Sequence, residues 1–150
     1  MYVFTDGAVT GNNKNNPNRK GGIGVWSEKD SFSGKVEKPT NNICELLAIK
    51  KALEMFPEKI TIVTDSEYCI KSLTVWIKIW KKNGWITSSK KPVLNKELLQ
   101  EIDELIQIKK PKFKHIKSHM KEPDDFESEE YKLWYGNMKA DSLANQGKFL

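Results

Sequence analysis

The chain has 150 residues, of which 38% are hydrophobic and 30% are charged, and its formal net charge is +5. This length and composition predict a single globular domain over residues 1–150 with one buried core, and they argue against a disordered or fibrous chain. The sequence shows no signal peptide and no long apolar run, so we expect neither export nor a membrane partner.

The two cysteines, Cys44 and Cys69, are isolated in the sequence. They are too few for a disulfide framework and lack the spacing of a zinc site. We therefore expect a reducing, intracellular compartment, either cytoplasm or nucleus, and leave a viral origin open. The basic charge is compatible with a polyanionic partner, although charge alone does not identify one.

The first element is a run of β-branched and aromatic residues that leads into Asp6 and Gly7. It predicts a short strand with Asp6 at its end and Gly7 opening a turn. A polar, glycine-rich loop at residues 11–22 follows. The apolar segments 23–26 and 32–36, on either side of a polar turn, then predict a hairpin, so the first three strands form an antiparallel meander.

A helix is predicted next, with Thr40 or an adjacent asparagine as its N-cap and Pro57 at its end. Glu45 lies one turn inside this helix and away from its most solvated face. A second apolar strand, residues 59–64, then leads into Asp65, as the first leads into Asp6. Each aspartate alone is more often a turn residue. If the two strands are neighbours, however, the two carboxylates lie side by side and repel each other unless a cation separates them.

The second half of the chain begins with a helix capped by Ser66, followed by a turn at residues 80–92 that alternates lysine pairs with tryptophans. This turn is either a solvated loop with core tryptophans or a nucleic-acid platform, and the residues favour neither. Asn95 then opens a helix with an apolar stripe. A strand at 113–117 leads to His119, an acidic loop spans 122–130, and a last helix from about residue 136 carries Asp141.

Taken in order, these pieces resemble the type 1 ribonuclease H family over nearly the whole chain. The matching segments are Thr5-Asp6-Gly7 with Asn12, Thr40-Asn41-Asn42 with Glu45, Thr64-Asp65-Ser66 with Tyr68, Trp76, Trp80-Lys81-Lys82-Asn83-Gly84-Trp85, Asn95, Lys117-Ser118-His119, and Asn137 with Asp141. The resemblance implies an α/β fold, with a mixed five-stranded sheet of three antiparallel strands followed by two parallel ones and helices on both faces. It also implies a monomeric endonuclease that hydrolyses the RNA strand of RNA–DNA hybrids and leaves 5′-phosphate and 3′-hydroxyl ends.

By the same resemblance, the catalytic metal ligands are four carboxylates, those of Asp6, Glu45, Asp65 and Asp141. They imply two Mg²⁺ ions, which Mn²⁺ can replace, because hard carboxylate oxygens suit these ions better than Zn²⁺. Two such metals sit roughly 4 Å apart and act on the attacking water and the leaving oxygen. His119 matches the family histidine that assists proton transfer or product release. His115 matches no catalytic position and is interpreted as structural.

The resemblance also implies contacts with the hybrid. Asn12, Asn41 and Asn42 match positions in the minor groove, where 2′-hydroxyls distinguish RNA from DNA. Trp76, Trp80 and Ser88 match the channel for the DNA strand, and Thr40 and Asn95 match a pocket for a DNA phosphate. The pairs Lys81-Lys82 and Lys90-Lys91 match a basic protrusion whose contribution weakens with salt.

The sequence departs from the family pattern in several places. The loop at residues 13–20 is longer than in compact members of the family. Glu67 places a carboxylate close to the expected path of the hybrid. The segment 120–136 is longer and more acidic than the usual loop at that position. There is also no room for the N-terminal hybrid-binding domain of some members, so we expect low processivity. The preferred metal and the cutting of single ribonucleotides in DNA stay open at this point.

Three alternatives compete with this interpretation. A resolvase or integrase core shares the strand-end acids but usually lacks the acid after the late asparagine and the tryptophan-lysine turn. A non-enzymatic hybrid-binding module would be marked by the loss of an acid, and all four are present. A reverse transcriptase fragment would continue into upstream polymerase, whereas this chain starts at Met1 just before the first strand.

Overall fold

The computed structural model describes residues 1–10 and 19–150. Its centre is a five-stranded sheet in the order β3-β2-β1-β4-β5. The strands are β1 Tyr2–Thr10, β2 Lys20–Trp26, β3 Ser31–Val36, β4 Thr61–Thr64 and β5 Lys112–His115. β2 is antiparallel to both β1 and β3, while β4 is parallel to both β1 and β5. The predicted mixed sheet is confirmed.

The helices follow the predicted order along the chain. They are α1 Asn41–Met55, α2 Glu67–Lys71, a π-helical segment Ser72–Trp76, α3 Ile77–Lys82, α4 Lys96–Lys109 and α5 Glu129–Gly147. Thr40 and Ser66 cap α1 and α2, because their side chains accept hydrogen bonds from backbone N–H groups in the first turn. No helix in the described part of the chain is long and apolar enough to cross a membrane.

Helices cover both faces of the sheet, as β2 illustrates. A side chain at Gly21 would meet Pro39, just before α1, and Cys44 of α1, whereas one at Gly24 would meet Ala140 of α5. Side chains along a strand point alternately to its two faces, so positions 21 and 24, which are three residues apart, point to opposite faces. Helices α1 and α5 therefore lie on opposite sides of the sheet. The larger buried cluster lies on the α1 side and includes these fully buried side chains: Leu46, Ile49, Leu53, Ile62, Leu99 and Ile102.

β1 differs from the predicted short strand. It does not end at Asp6 but runs on to Thr10, because its second half pairs with β2, from Asp6 opposite Gly24 to Thr10 opposite Lys20. Gly7 therefore lies inside the strand and does not open a turn. β4 does end at Thr64, immediately before Asp65, as predicted. β2 begins at Lys20, so the predicted loop at 11–22 is wrong for its last three residues, and residues 11–18, with Asn12, lie outside the described residues.

The last helix also differs from the prediction. It begins at Glu129, so the predicted long loop at 120–136 is wrong for its final eight residues. Ser128 is the N-cap and accepts a hydrogen bond from the Tyr131 N–H at 3.1 Å. Glu129 and Glu130 occupy the first turn, where negative charge is favourable next to the positive end of the helix dipole. The acidic residues that suggested a loop are thus partly a helix-start signal.

Candidate active site

Three acids from three different elements converge beside the middle of the sheet. Carboxylate oxygens of Asp6, Glu45 and Asp65 all lie within 4.8 Å of one another. β1 and β4 are parallel, with Phe4 opposite Val63, so the positions two residues further along, Asp6 and Asp65, follow side by side. The sheet therefore brings Asp6 and Asp65 together, whereas Glu45 reaches them because α1 packs against β1.

Gly7 connects the acids of β1 and α1. Its backbone N–H lies 2.9 Å from Oδ1 of Asp6 and 3.2 Å from Oε1 of Glu45, and both oxygens accept from it. A Cβ at position 7 would come within 2.7 Å of backbone atoms of Cys44 and Glu45. Only glycine therefore allows α1 to approach β1 this closely and to bring Glu45 beside Asp6.

The electrostatics of the cluster oppose ionisation. Burial raises the pKa of Asp6, which is only 6% exposed, and the charges of Glu45 and Asp65 raise it further. Burial likewise raises the pKa of Glu45, although the Gly7 hydrogen bond opposes this change. For Asp65, burial and the charge of Asp141 raise the pKa. A cation held between the carboxylates would offset the cost of ionising them.

The donor set suits a hard divalent cation. All the candidate ligand atoms are carboxylate oxygens, which Mg²⁺ and Mn²⁺ prefer. Oε2 of Glu45 is buried and has no hydrogen-bond partner among the described residues. A buried, unpaired carboxylate oxygen is costly, so it is expected to gain a partner when the site binds an ion. The residues present therefore fit a divalent metal.

The acids line a cleft of about 360 Å³ between the sheet, the β5–α5 connection and α5. Asp141 reaches this cleft from α5 but is not part of the tight three-acid cluster, so the structure brings three of the four predicted ligands together and places the fourth on the wall. His119 lines the cleft as well, with a left-handed backbone φ of 56°. The remaining lining side chains are Ser118, Met120, Trp134, Asn137 and Met138.

Both histidines lie near Asp65. His119 is on the β5–α5 connection, and His115, at the end of β5, has its Nε2 3.3 Å from the carbonyl oxygen of Asp65. The charges of both rings lower the pKa of Asp65 and so act against the effect of burial. Sequence reasoning had no signal for the contact of His115, because it depends on the pairing of β5 with β4.

The predicted channel residues form part of a row of aromatic rings. Centroid distances are 6.4 Å from Tyr68 to Trp76, 6.0 Å from Trp76 to Trp80 and 6.2 Å from Trp80 to Trp85. Trp80 and Trp85 also pack on the main core, and Trp76 is 36% exposed. The two interpretations of this segment are therefore compatible, since the same rings contact the core and reach the surface.

The other predicted contact residues take different environments. Thr40 uses its hydroxyl to cap α1, and Asn95 precedes α4 in a left-handed conformation and donates to Tyr68 Oη at 3.3 Å instead of capping the helix. Asn41 and Asn42 are exposed in the first turn of α1. Ser88 is exposed near the lysine pairs.

The four predicted phosphate-binding lysines are not equivalent. Lys81 is paired with the nearly buried carboxylate of Asp103 on α4. No ion pair to a described residue is found for the exposed Lys82, Lys90 and Lys91. Glu67, which raised the prospect of repulsion with the hybrid, is bridged to Lys71 at 2.7 Å across one helical turn.

Comparison with known proteins then identifies the family. The RNase H family model matches residues 1–149. The chain belongs to the RNase H family. As a member of this family, the chain is an endonuclease of class EC 3.1.26.4, ribonuclease H. The family also implies the use of divalent metal ions. The predicted family is confirmed, and the resolvase and integrase alternatives are set aside.

Individual relatives agree with this assignment. Ribonuclease H of Bordetella pertussis (strain Tohama I) is 36% identical over 153 residues, covering 98% of this chain and 88% of the relative. The solution structure of the PFV RNase H domain matches with a TM-score of 0.76 and 25% identity, covering 99% and 93% of the two chains. A foamy viral protease-reverse transcriptase solved with an RNA/DNA hybrid matches with a TM-score of 0.73, 22% identity and coverage of 99% and 20%.

Proposed function

We propose that this chain, as a single catalytic domain over residues 1–150, cleaves the RNA strand of RNA–DNA hybrids by a two-metal-ion mechanism. The products would carry 5′-phosphate and 3′-hydroxyl ends. The observation that carries the proposal is the convergence of Asp6, Glu45 and Asp65 in one cleft, beside Asp141, within a fold of the RNase H family. The protein would act as a monomer, and its two free, buried thiols suit a reducing intracellular compartment.

Asp6, Glu45 and Asp65 would hold the metal, with Asp141 completing the set from α5. When bound, a pair of Mg²⁺ ions, or Mn²⁺ in their place, would supply charge stabilisation for the attacking and leaving oxygens. The unpaired Oε2 of Glu45 and the raised pKa values of Asp6 and Glu45 support this assignment. Both features make the ionised carboxylates unfavourable on their own, and a bound cation would offset that cost.

The chain's own residues would position the substrate and move the proton. His119, at the edge of the cleft, would exchange a proton with the leaving group or assist release of the product. Asn41 and Asn42 would hydrogen-bond in the minor groove, together with Asn12, which lies outside the described residues. The rings of Trp76 and Trp80, with Ser88, would contact the DNA strand, and Thr40 and Asn95 would hold one of its phosphates.

The exposed cations would supply affinity without sequence preference. Lys82, Lys90 and Lys91 would lie against phosphates, and their contribution would fall as salt rises. Lys81 can add to this only if it exchanges its partner Asp103 for phosphate.

The test is a cleavage assay on matched RNA–DNA, RNA–RNA and DNA–DNA duplexes with Mg²⁺, with Asp65→Asn and EDTA as controls. We expect cutting of the RNA strand of the hybrid only, lost in both controls. Tight binding of the hybrid without cutting would instead support a non-enzymatic binding module. Cutting that survives Asp65→Asn would overturn the site assignment.

A further inference from the structure

The face of α5 that carries Asp141 also carries an aromatic ring into the cleft. Trp134, Asn137, Met138 and Asp141 all line it, and their spacing of three, four and seven residues puts them on one side of the helix. The segment that bears Trp134 is the part of α5 for which sequence analysis predicted a loop. The indole is therefore delivered to the site by the two helical turns that extend α5 towards its N-terminus.

Trp134 is not part of the hydrophobic core of the described residues. Its sequence neighbour Leu133 packs with Phe4, Val63 and Ile116 on the α5 side of the sheet, whereas Trp134 is absent from the buried clusters. The ring is half-buried and lines the same cleft as the carboxylates of Asp6, Glu45 and Asp65. Core packing thus does not account for this tryptophan.

Neighbouring aromatic rings hold the indole in place. The Trp134 and Tyr131 centroids are 5.3 Å apart, Tyr131 stacks on Tyr135 at 6.3 Å, and Tyr135 meets Trp26 of β2 at 5.4 Å. This series of rings anchors the extension of α5 to the sheet. A ring ordered before binding loses little conformational entropy when a ligand covers it.

We propose that Trp134 packs against the ribose of an RNA-strand nucleotide next to the scissile phosphate, which the carboxylate cluster would bind through its metal, an inference that rests on the proposed function. In a duplex the bases are stacked inside, so a side chain beside the phosphate site meets the sugar. A flat apolar ring can pack against a ribose whatever the base sequence of the RNA, because the sugar is the same in every nucleotide. Trp134 is then a substrate-binding residue of this chain's α5 extension and contributes to affinity more than to the chemical step.

The experiment compares Trp134→Leu, Trp134→Phe and the control Phe126→Leu in the full chain. Phe126 lies just before α5 and packs on Tyr131, but it is 73% exposed and does not line the cleft. Steady-state kinetics on a hybrid with Mg²⁺ give KM and kcat, binding of the same hybrid in EDTA gives Kd, and thermal unfolding gives Tm.

We expect Trp134→Leu to raise KM and Kd by about five-fold or more, the lower end of the effect of removing an aromatic stacking partner from nucleic acid. The kcat of this variant should change less than its KM. Trp134→Phe should recover most of the affinity because it keeps a flat ring, and Phe126→Leu should behave as the unaltered chain does.

Equal KM and Kd for Trp134→Leu and the unaltered chain would overturn the inference. So would losses of equal size in the Leu and Phe variants that follow a lowered Tm, since these indicate a structural role. If the unaltered chain cleaves hybrid while Trp134→Leu is unaffected, only this inference fails. If the unaltered chain binds hybrid without cleaving it, the proposed function fails while Kd still tests Trp134, and a chain that does not bind hybrid overturns both.

Discussion

The backbone N–H of Gly7 donates to Oε1 of Glu45 at 3.2 Å, which joins the middle of β1 to the second turn of α1. Asp6 accepts from the same N–H, so one backbone group orients two candidate metal ligands. This arrangement requires a glycine at position 7, because a Cβ there would lie too close to α1.

Gly7→Ala should lower both stability and activity. The new methyl group would lie 2.7 Å from backbone atoms of α1, which can yield only by moving away from β1. We expect a loss of roughly 1–3 kcal/mol in the free energy of unfolding, the usual cost of overpacking, and little cleavage because Glu45 is displaced. Urea denaturation measures the first effect. Thr10→Ala, at the exposed end of β1, is the control and should alter neither quantity; an unchanged Gly7→Ala enzyme would contradict the packing argument.

The acid cluster should make stability without metal depend on pH. Burial and neighbouring charge raise the pKa of Asp6 and Glu45, so the folded state holds these protons more tightly than the unfolded chain. Their contribution is therefore favourable near pH 4, the ordinary carboxyl range, and is lost as pH rises towards the raised pKa values. In EDTA, Asp6→Asn should be more stable than the unaltered chain at pH 8 by at least about 1 kcal/mol, with a smaller difference at pH 5.

Adding Mg²⁺ at pH 8 should reverse this order. A cation bound to the folded state stabilises it by mass action, and Asp6→Asn removes one of the ligands. Denaturation at pH 5 and pH 8, with EDTA or Mg²⁺, checks both statements. A stability difference between the two chains that is independent of pH and of Mg²⁺ would exclude a metal-binding acid cluster.

His119 and His115 should differ in their effect on catalysis. His119 lines the cleft, whereas His115 contacts the backbone of Asp65 from outside it. We expect His119→Ala to lower kcat by about 100-fold, as for loss of a proton-transfer group, and His115→Ala to have a much smaller effect. Pre-steady-state and steady-state rates across pH would separate a role in chemistry from one in product release. The reverse ranking would move the proton-transfer assignment to His115.

The adjacent lysines Lys81 and Lys82 should separate stability from binding. Lys81→Ala leaves the nearly buried Asp103 without its cation, so we expect a loss of roughly 1–2 kcal/mol of stability, since Lys81 itself is partly exposed. Lys82→Ala should leave stability unchanged and reduce the salt dependence of hybrid binding by about one unit of slope. Titrations of Kd at several salt concentrations, together with Tm, test this division. It is wrong if Lys82→Ala lowers Tm more than Lys81→Ala does.

Much of the fold follows from local patterns in the sequence. The caps Thr40 and Ser66, the strand that leads into Asp65 and the apolar stripe of α4 depend on neighbouring residues only, and the structure confirms them. The positions of Asp6 and Asp65 after apolar strands suggested a pair of carboxylates, whereas Glu45 joined the predicted set through the family resemblance. Their roles as ligands remain predictions, but their convergence is observed.

The remaining features depend on partners that are distant in the sequence. β1 continues past Asp6 because β2 supplies hydrogen bonds, and Lys81 is engaged because α4 brings Asp103 to it. Trp134 reaches the cleft because α5 begins at Glu129 and packs across the sheet. The sequence by itself therefore determined the order and type of the strands and helices and which acids are available, since these depend on local hydrogen bonding and periodicity, but it did not determine where β1 ends or where β2 and α5 begin. Only the tertiary structure decided which charges and rings meet, because a contact between distant segments is set by how the layers pack.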